Sequence, residues 1–416
     1  MKNVLLVLSG TVLAQSLGII TTPIITRLYN PEHFGILSLF MAIAGVLTSF
    51  SSLRYEVAIP IERNLKKAHS LVKLSLLILF GIFLFFNVAY LFLEKLLLKH
   101  FTSLQQIENF IWLIPWLFLF TGIFRIFSAW SLREKAFKLI AKIKIIQSLL
   151  SSLTKITLGY FGFGIVGLLA GNFLFESIGF SGHFRKLKES GFSFFSNTTW
   201  LEIKSVANRY KKFPLYQTWS QLFLSISQRL PIFFITSLYG FKTVGLYGFS
   251  NTIISMPINV IGNSVAQVYF SEISEMGKSN SLKLFTLSKD MTKKMFLLSL
   301  LPLIVILFFG PQLFAFAFGE NWEMAGEFSQ YLIVLITLKF ITTPIMSCLN
   351  VLEKQEIQFK LNAIRTFLLV VVFFTCNFYE FDVFNTIMIY SIVLSVFYFL
   401  VLTYIFILLK INITKK

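Results

Sequence analysis

Residues 35–59 read GILSLFMAIAGVLTSFSSLRYEVAI, an apolar run of 25 residues that ends on a cation and an anion, Arg54 and Glu56. A helix needs about 20 apolar residues to cross a hydrocarbon core of roughly 30 Å, so this run is long enough to span. The two charges at its end are the exception to be explained. Each costs roughly 2.5 to 3.5 kcal/mol at the centre of a membrane helix, which favours keeping such groups only where water or a partner receives them.

Runs of this kind recur through the whole chain. They fall near 4–26, 35–59, 70–93, 110–132, 142–160, 164–182, 213–238, 244–270, 295–318, 328–352, 361–379 and 384–409. Of the 416 residues, 56% are hydrophobic and 50 are Phe, and the mean hydropathy is +0.76, more than the surface of a soluble globule can cover. The runs are continuously apolar and lack the alternation of barrel strands, so the expected class is all-α, a polytopic membrane protein of twelve spans.

The net charge of +18 follows from topology. With the N-terminus inside, the loops predicted to be cytoplasmic carry 28 of the 37 Lys and Arg and the opposite loops only Arg27, Lys95, Lys99 and Lys242. That asymmetry predicts a multi-pass protein with both termini in the cytoplasm. No recognition module or basic patch interleaved with aromatics stands in the loops, so no nucleic-acid partner is expected. The first run lacks a small-residue cleavage site and is expected to be a retained span.

Leu28-Tyr29 followed by Gly35 has a counterpart in Leu238-Tyr239 followed by Gly245. The shared spacing predicts two parallel six-helix lobes, 1–182 and 213–416, joined by a cytoplasmic linker at 183–212. Between them a substrate route with alternating access is expected.

Seven charges remain inside the expected spans: Arg54, Arg125, Lys155, Arg229 and Lys339 against Glu56 and Glu176. Together they cost about 20 kcal/mol if left in lipid, so a hydrated cavity with a cationic surplus is expected, suited to an anion. Long side chains can carry the shallower Arg54, Arg125 and Lys155 to the interface, but not Arg229 or Lys339. Polar rows support the cavity: Gln217, Gln221, Ser225 and Arg229 at spacing four, with Gln228 beside them, and Ser255, Asn259, Asn263 and Gln267 on the next span. Helix-to-helix hydrogen bonding is the competing use of those rows. Pro23, Pro231 and Pro257 predict bends in the same region.

Several chemistries are excluded. Gly162, Gly164 and Gly167 have dinucleotide-loop spacing but sit in a turn between spans with no preceding strand. No phosphate-binding lysine loop, metal-spaced His/Cys group or nucleophile elbow occurs, so neither cofactor nor enzymatic activity is expected. Four histidines, at 33, 69, 100 and 183, fall at loops or span ends, and Cys348 and Cys376 read as packing residues.

The run TPIITRLYNPEHFGILSLF, then SLRYEVAIP, then YKKFPLYQTWSQLFLSISQRLPIFFITSLYGFKTVGLYGFSNTIISMPINVIGNSVAQVYF, resembles the Wzx-type polysaccharide flippases of the MOP exporter superfamily. The resemblance covers most of the chain through short, diffuse motifs. It implies a MOP/MATE-like fold and translocation of undecaprenyl-diphosphate-linked oligosaccharide across the bacterial cytoplasmic (inner) membrane, for O-antigen, capsule or exopolysaccharide assembly. It also implies membrane lipid, a polysaccharide polymerase and a chain-length regulator as partners. On that reading Arg229, Lys339, Arg54, Arg125, Lys155, Gln228, Gln221 and Asn263 are the candidate substrate contacts, and Glu176 and Glu56 the candidate ion-coupling groups. Positions 54 and 56 lie about 200° apart on a helix, so Arg54 is expected at the cavity mouth and Glu56 against a cation of another span, or the reverse. The alternatives are a MATE-like proton- or sodium-coupled exporter, for which cavity carboxylates would be expected, and a membrane glycosyltransferase or polymerase, for which large extramembrane loops would be expected.

Overall fold

The computed structural model describes residues 2–100, 107–194, 199–276, 281–352 and 354–414, nearly all of them helical and none in a strand. Among the described residues, ten segments are long and apolar enough to cross a membrane. Contacts divide the chain into two compact units, Met1–Phe241 and Lys242–Lys416.

The first unit contains α1 (Lys2–Leu28), α2 (Pro31–Leu47), α3 (Leu65–His100), α4 (Leu113–Arg133), α5 (Phe137–Tyr160) and α6 (Ile165–Ser177). Two short amphipathic helices follow, α7 (Phe180–Glu189) and α8 (Trp200–Arg209). Helix α9 (Thr218–Met276) begins in this unit and crosses into the next just past Gly240, whose φ of 78° and ψ of −177° break the helix. Only glycine takes that backbone at no steric cost.

Small residues let the helices approach. A Cβ on Gly10 would run into Ala141, and one on Gly167 into the Tyr29 hydroxyl, which itself donates to the Lys155 carbonyl at 2.6 Å. Polar side chains tie α1 to α5: Ser148 donates to the Ala14 carbonyl at 2.6 Å, and Thr21 meets Ser152 at 3.0 Å. In lipid the apolar effect between helices is absent, so close packing and such bonds supply the association. Helices α2, α4 and α6 meet around a cluster of Phe40, Ala44, Ile114, Leu117 and Leu169.

The second unit holds the rest of α9, α10 (Ser281–Phe318), α11 (Glu323–Ile345), α12 (Gln355–Phe378) and α13 (Val383–Thr414). Helix α11 is its centre, with 67% of its apolar window buried. Backbones of α10 and α11 cross at Gly310 and Gly326, where no side chain would fit. Thr342 donates to the Tyr398 carbonyl at 3.3 Å, joining α11 to α13. Phe249 packs its ring, tilted by 47°, 4.3 Å from that of Trp322, which is fully buried. Cys348 and Cys376 are both free and buried.

One expected span is shorter than its apolar run. The helix reading of 35–59 fails after Leu47: 3-10 turns cover Thr48–Phe50 and Tyr55–Ala58, and Leu53 and Arg54 take positive φ of 48° and 64°. Ser49, Ser51 and Ser52, which compete for backbone hydrogen bonds, explain why the helix gives way there.

Candidate functional site

Carbonyls in the last turns of α2 and at its C-cap receive two arginines of the first unit. Arg125, on α4, donates from Nη1 to the Thr48 carbonyl at 2.7 Å. Arg229, on α9, donates from Nε to the Ala42 carbonyl at 3.1 Å. Its guanidinium lies against Gly45, where any Cβ would collide with it. The Gly45 carbonyl accepts from Ser225 at 3.1 Å and from Ser49 at 3.1 Å. A helix C-terminus carries a partial negative charge, so the backbone here does for the arginines part of what a carboxylate would.

Register brings Glu176 to the same level. Leu117 and Leu169 belong to one cluster, and two turns further along their helices stand Arg125 and Glu176, within electrostatic range of each other. Glu176 lies within electrostatic range of both Arg125 and Arg229. Among the described residues none of these three makes an ion pair within 4.0 Å. The cluster is therefore two guanidinium groups and one carboxylate, held by backbone and packing rather than by mutual salt bridges.

Arg54 and Glu56 depart from the arrangement expected of them. They form an ion pair of 3.4 Å with each other, and the Ser52 hydroxyl also donates to the Glu56 carboxylate. Two residues on a helix could not meet so; the left-handed turn at Arg54 folds the backbone back and brings them together. Glu56 thus finds its ion-pair partner on its own segment, with Arg125 of α4 also within electrostatic range.

The remaining candidates are spread out. Lys155 lays its methylenes across Gly171 of α6, in the α5–α6 contact, apart from the arginines. Gln221 is half-buried and Gln228 exposed along α9. Lys339 is exposed on α11 of the second unit, on a face shared with Thr343, while most of that helix is buried. The side chains of Asn259, Asn263 and Gln267 lie outside the described residues.

Two polar groups escaped the sequence reading. His183, expected at a span end, is buried, with Nδ1 2.7 Å from the Ser131 hydroxyl and Phe124 edge-on to its ring. Arg365, one of the 28 cations assigned from the sequence to cytoplasmic loops together with Lys354 and Lys360, stands well inside α12 and donates to the Tyr398 hydroxyl at 3.4 Å. Its position inside an expected apolar run was the signal available for it.

At the foot of the first unit, the buried carboxylate of Glu62 receives Arg209 at 3.1 Å, the Tyr210 hydroxyl at 3.1 Å and the Asn64 amide at 2.8 Å. Burial pushes this carboxyl up, but the amide and hydroxyl bonds with the charges of Arg209 and Lys67 outweigh it and hold it below the usual carboxylate range. The Tyr210 hydroxyl is raised, by burial first and then by Glu62.

An all-helical bundle with cations held inside its spans defines an integral membrane protein of the transporter fold seen in the MOP superfamily. That fold is shared with an inward-facing multidrug-resistance MATE transporter at 16% identity and a TM-score of 0.65, covering 98% of this chain and 96% of that one. It is shared also with the lipid II flippase MurJ in an inward closed conformation, at 11% identity and a TM-score of 0.77, over 96% of this chain and 87% of that one. A MOP superfamily transporter from Pyrococcus furiosus, described as having a binding pocket of reverse polarity, matches at 16% identity and a TM-score of 0.61 over 100% of this chain and 96% of that one. No curated protein matches the chain in sequence. The chain belongs to the polysaccharide biosynthesis protein family, whose pattern matches residues 24–327.

Proposed function

We propose that the protein is a flippase that moves an undecaprenyl-diphosphate-linked oligosaccharide across the bacterial cytoplasmic membrane by alternating access, in the assembly of O-antigen, capsule or exopolysaccharide. The observation that carries this reading is the placing of Arg125 and Arg229 on carbonyls of α2, with no carboxylate in ion-pair contact with either among the described residues. Guanidinium groups so placed keep donors for a diphosphate, whose planar, bidentate recognition suits arginine. Family membership and the fold shared with a lipid II flippase point the same way.

Lys339, Arg54, Lys155, Gln221, Gln228 and Asn263 complete the proposed substrate contacts, and Glu176 and Glu56 the proposed ion-coupling groups. The termini lie in the cytoplasm on this reading, as the loop charges require. Polymerase and chain-length regulator are the proposed partners. An exporter of cationic drugs is disfavoured, because the charges gathered at the α2 terminus are mainly positive.

The experiment is a fluorescent lipid-diphosphate flipping assay in proteoliposomes with Arg125→Ala and Arg229→Ala. Each change is expected to reduce flipping at least tenfold with normal insertion and folding. Wild-type rates in both variants would refute the proposal.

A further inference from the structure

One turn in each unit has the same construction. Residues 157–163 read TLGYFGF and residues 375–381 read TCNFYEF, each closing on two aromatics, one further residue and a third aromatic. The first follows α5 and the second follows α12, both helices of 24 residues. Their backbones agree bond for bond. The Phe161 amide donates to the Thr157 carbonyl at 3.2 Å, Gly162 to Gly159 at 3.0 Å and Phe163 to Leu158 at 3.0 Å. In the second unit the Tyr379 amide donates to the Thr375 carbonyl at 3.0 Å, Glu380 to Asn377 at 3.2 Å and Phe381 to Cys376 at 3.0 Å. The last two bonds of each set form a helix ending that requires a left-handed residue, supplied by Gly162 at φ 76° and Glu380 at φ 51°.

Both turns hold their rings outward. Tyr160, Phe161 and Phe163, and in the same places Phe378, Tyr379 and Phe381, are between 37% and 79% exposed. Neighbouring rings touch, with centroids 5.8 Å apart for Tyr160 and Phe161 and 5.2 Å apart for Phe378 and Tyr379, so each turn offers one continuous apolar surface. Apolar area left in water costs free energy in proportion to its extent, and a patch of this kind marks a contact. The same helices say where the patch stands. Lys142 on α5 and Lys360 on α12 lie in the first turns, each 15 residues before the threonine that opens the motif. A helix of 24 residues measures roughly 36 Å, somewhat more than a hydrocarbon core of about 30 Å. With its lysines at one membrane face, each helix therefore brings its aromatic turn to the level where the acyl chains of the other leaflet give way to headgroups.

We propose that the two turns are a duplicated anchor, seated by their six rings in the phospholipid interface of the leaflet opposite the basic loops. Aromatic rings gather at that depth, where one side is apolar and the other wet. Such rings could also stack on a glycan, but a ligand site adds placed polar groups to its apolar wall. The first turn has Gly159, Gly162 and Gly164 around its rings and supplies none, so what the two turns share is apolar surface alone. Neither turn contains a residue of the proposed substrate site, and the anchor does not depend on the function proposed above.

The test is nitroxide depth measurement on the full-length protein in phospholipid nanodiscs, with the label attached to Tyr160→Cys or to Phe378→Cys. The native Cys348 and Cys376 are buried, and labelling of the parent protein gives the background. Oxygen concentrates among acyl chains and a nickel chelate stays in water, so the ratio of their collision rates with the label reports its surroundings. Lys135→Cys, on an exposed turn at the lysine end of α5, is the aqueous reference. The oxygen-to-nickel ratio is expected to be about threefold higher at both aromatic turns than at Lys135. Replacing the two remaining rings by serine, Phe161→Ser with Phe163→Ser or Tyr379→Ser with Phe381→Ser, should bring the ratio at the labelled site down towards that reference. A ratio equal to the reference with the rings intact overturns the anchor. So does a ratio that the serine changes leave untouched, which would mean that helix length alone sets the depth. Protection from nickel that appears only when a soluble oligosaccharide is added would make the turns a glycan surface and overturn it as well.

Discussion

Arg54 and Glu56, two positions apart in the chain, face each other across 3.4 Å because Arg54 takes a φ of 64°. A non-glycine residue in that region costs roughly 1 kcal/mol or more, and Leu53 beside it pays a like penalty at 48°. Such backbone persists where its surroundings hold it. Here Ser52 on the Glu56 carboxylate and the Tyr55 hydroxyl on the Ala207 carbonyl do so. The apolar run that would have carried a straight helix to Ile59 ends instead in a compact knot of charge.

That knot should depend on its anion. Glu56→Gln keeps the shape but leaves Arg54 without its counterion in a half-buried position, and the expected cost is about 1–3 kcal/mol. Thermal unfolding of the purified variant would show it. A melting temperature equal to wild type would mean that the pair contributes nothing to holding the turn.

Gly45 should be intolerant for a reason visible in the packing. Any Cβ there meets the Arg229 guanidinium, so Gly45→Ala must displace the arginine from the Ala42 carbonyl. Flipping is expected to fall about tenfold, as for loss of the arginine itself. Gly81 on α3 is the control, since a Cβ there meets nothing within 4 Å. Gly81→Ala should leave flipping unchanged and stabilise the helix by about 0.5–1 kcal/mol. Equal behaviour of the two variants would show that the Arg229 position is not what matters at Gly45.

The spans were legible in the sequence because hydrophobic length is a local property, and so were most of the charges within them, although Lys339 is exposed and Arg365 was left off the list. What was not legible is contact that depends on register between distant helices. Ser225 and Gly45 are 180 positions apart, and Arg229 and Ala42 are 187 apart. No spacing rule within one helix reveals that Arg229 lies over a glycine of α2. Arg54 was misread for a different reason: neither Leu53 nor Arg54 has the side-chain chemistry that marks a left-handed turn, so the helical angle between 54 and 56 was applied where no helix exists. Arg365 was grouped with nearby loop lysines, although its place inside an apolar run could have flagged it.

Glu176 should act on the arginines from a distance. It is the carboxylate within electrostatic range of both Arg125 and Arg229, so it competes with a bound diphosphate for their field. Glu176→Gln is expected to tighten binding of a lipid diphosphate a few-fold. If Glu176 is also the ion-coupling group proposed above, a pH gradient imposed across proteoliposomes will drive wild-type flipping but not that of the variant. A variant that still responds to the gradient would remove Glu176 from coupling.

Glu62 makes the connector between the sixth and seventh spans sensitive to acid. Its carboxyl, 3% exposed, joins the loop before α3 to Arg209 and Tyr210 at the end of α8, and Arg133 adds bonds to the carbonyls of Glu62 and Arg63, each at 3.2 Å. Burial opposes its ionisation, but its hydrogen bonds and the neighbouring charges win, so the folded carboxyl titrates below its unfolded value of about 4.3. A group depressed in this way contributes its stability in full above the unfolded value and loses it as pH falls through the folded one. The clamp should therefore be complete at pH 7 and weaken only below about pH 4. Glu62→Gln removes the charge at every pH and is expected to cost about 1–3 kcal/mol at pH 7, because Tyr210 and Asn64 keep a neutral partner while Arg209 loses its anion. Proteolysis of the 190–212 connector reports the loosening directly. Wild type should be cut faster only on acidification, with the variant cut faster at pH 7 and insensitive to acid; equal cleavage of both at pH 7 would show that Glu62 does not hold the connector down.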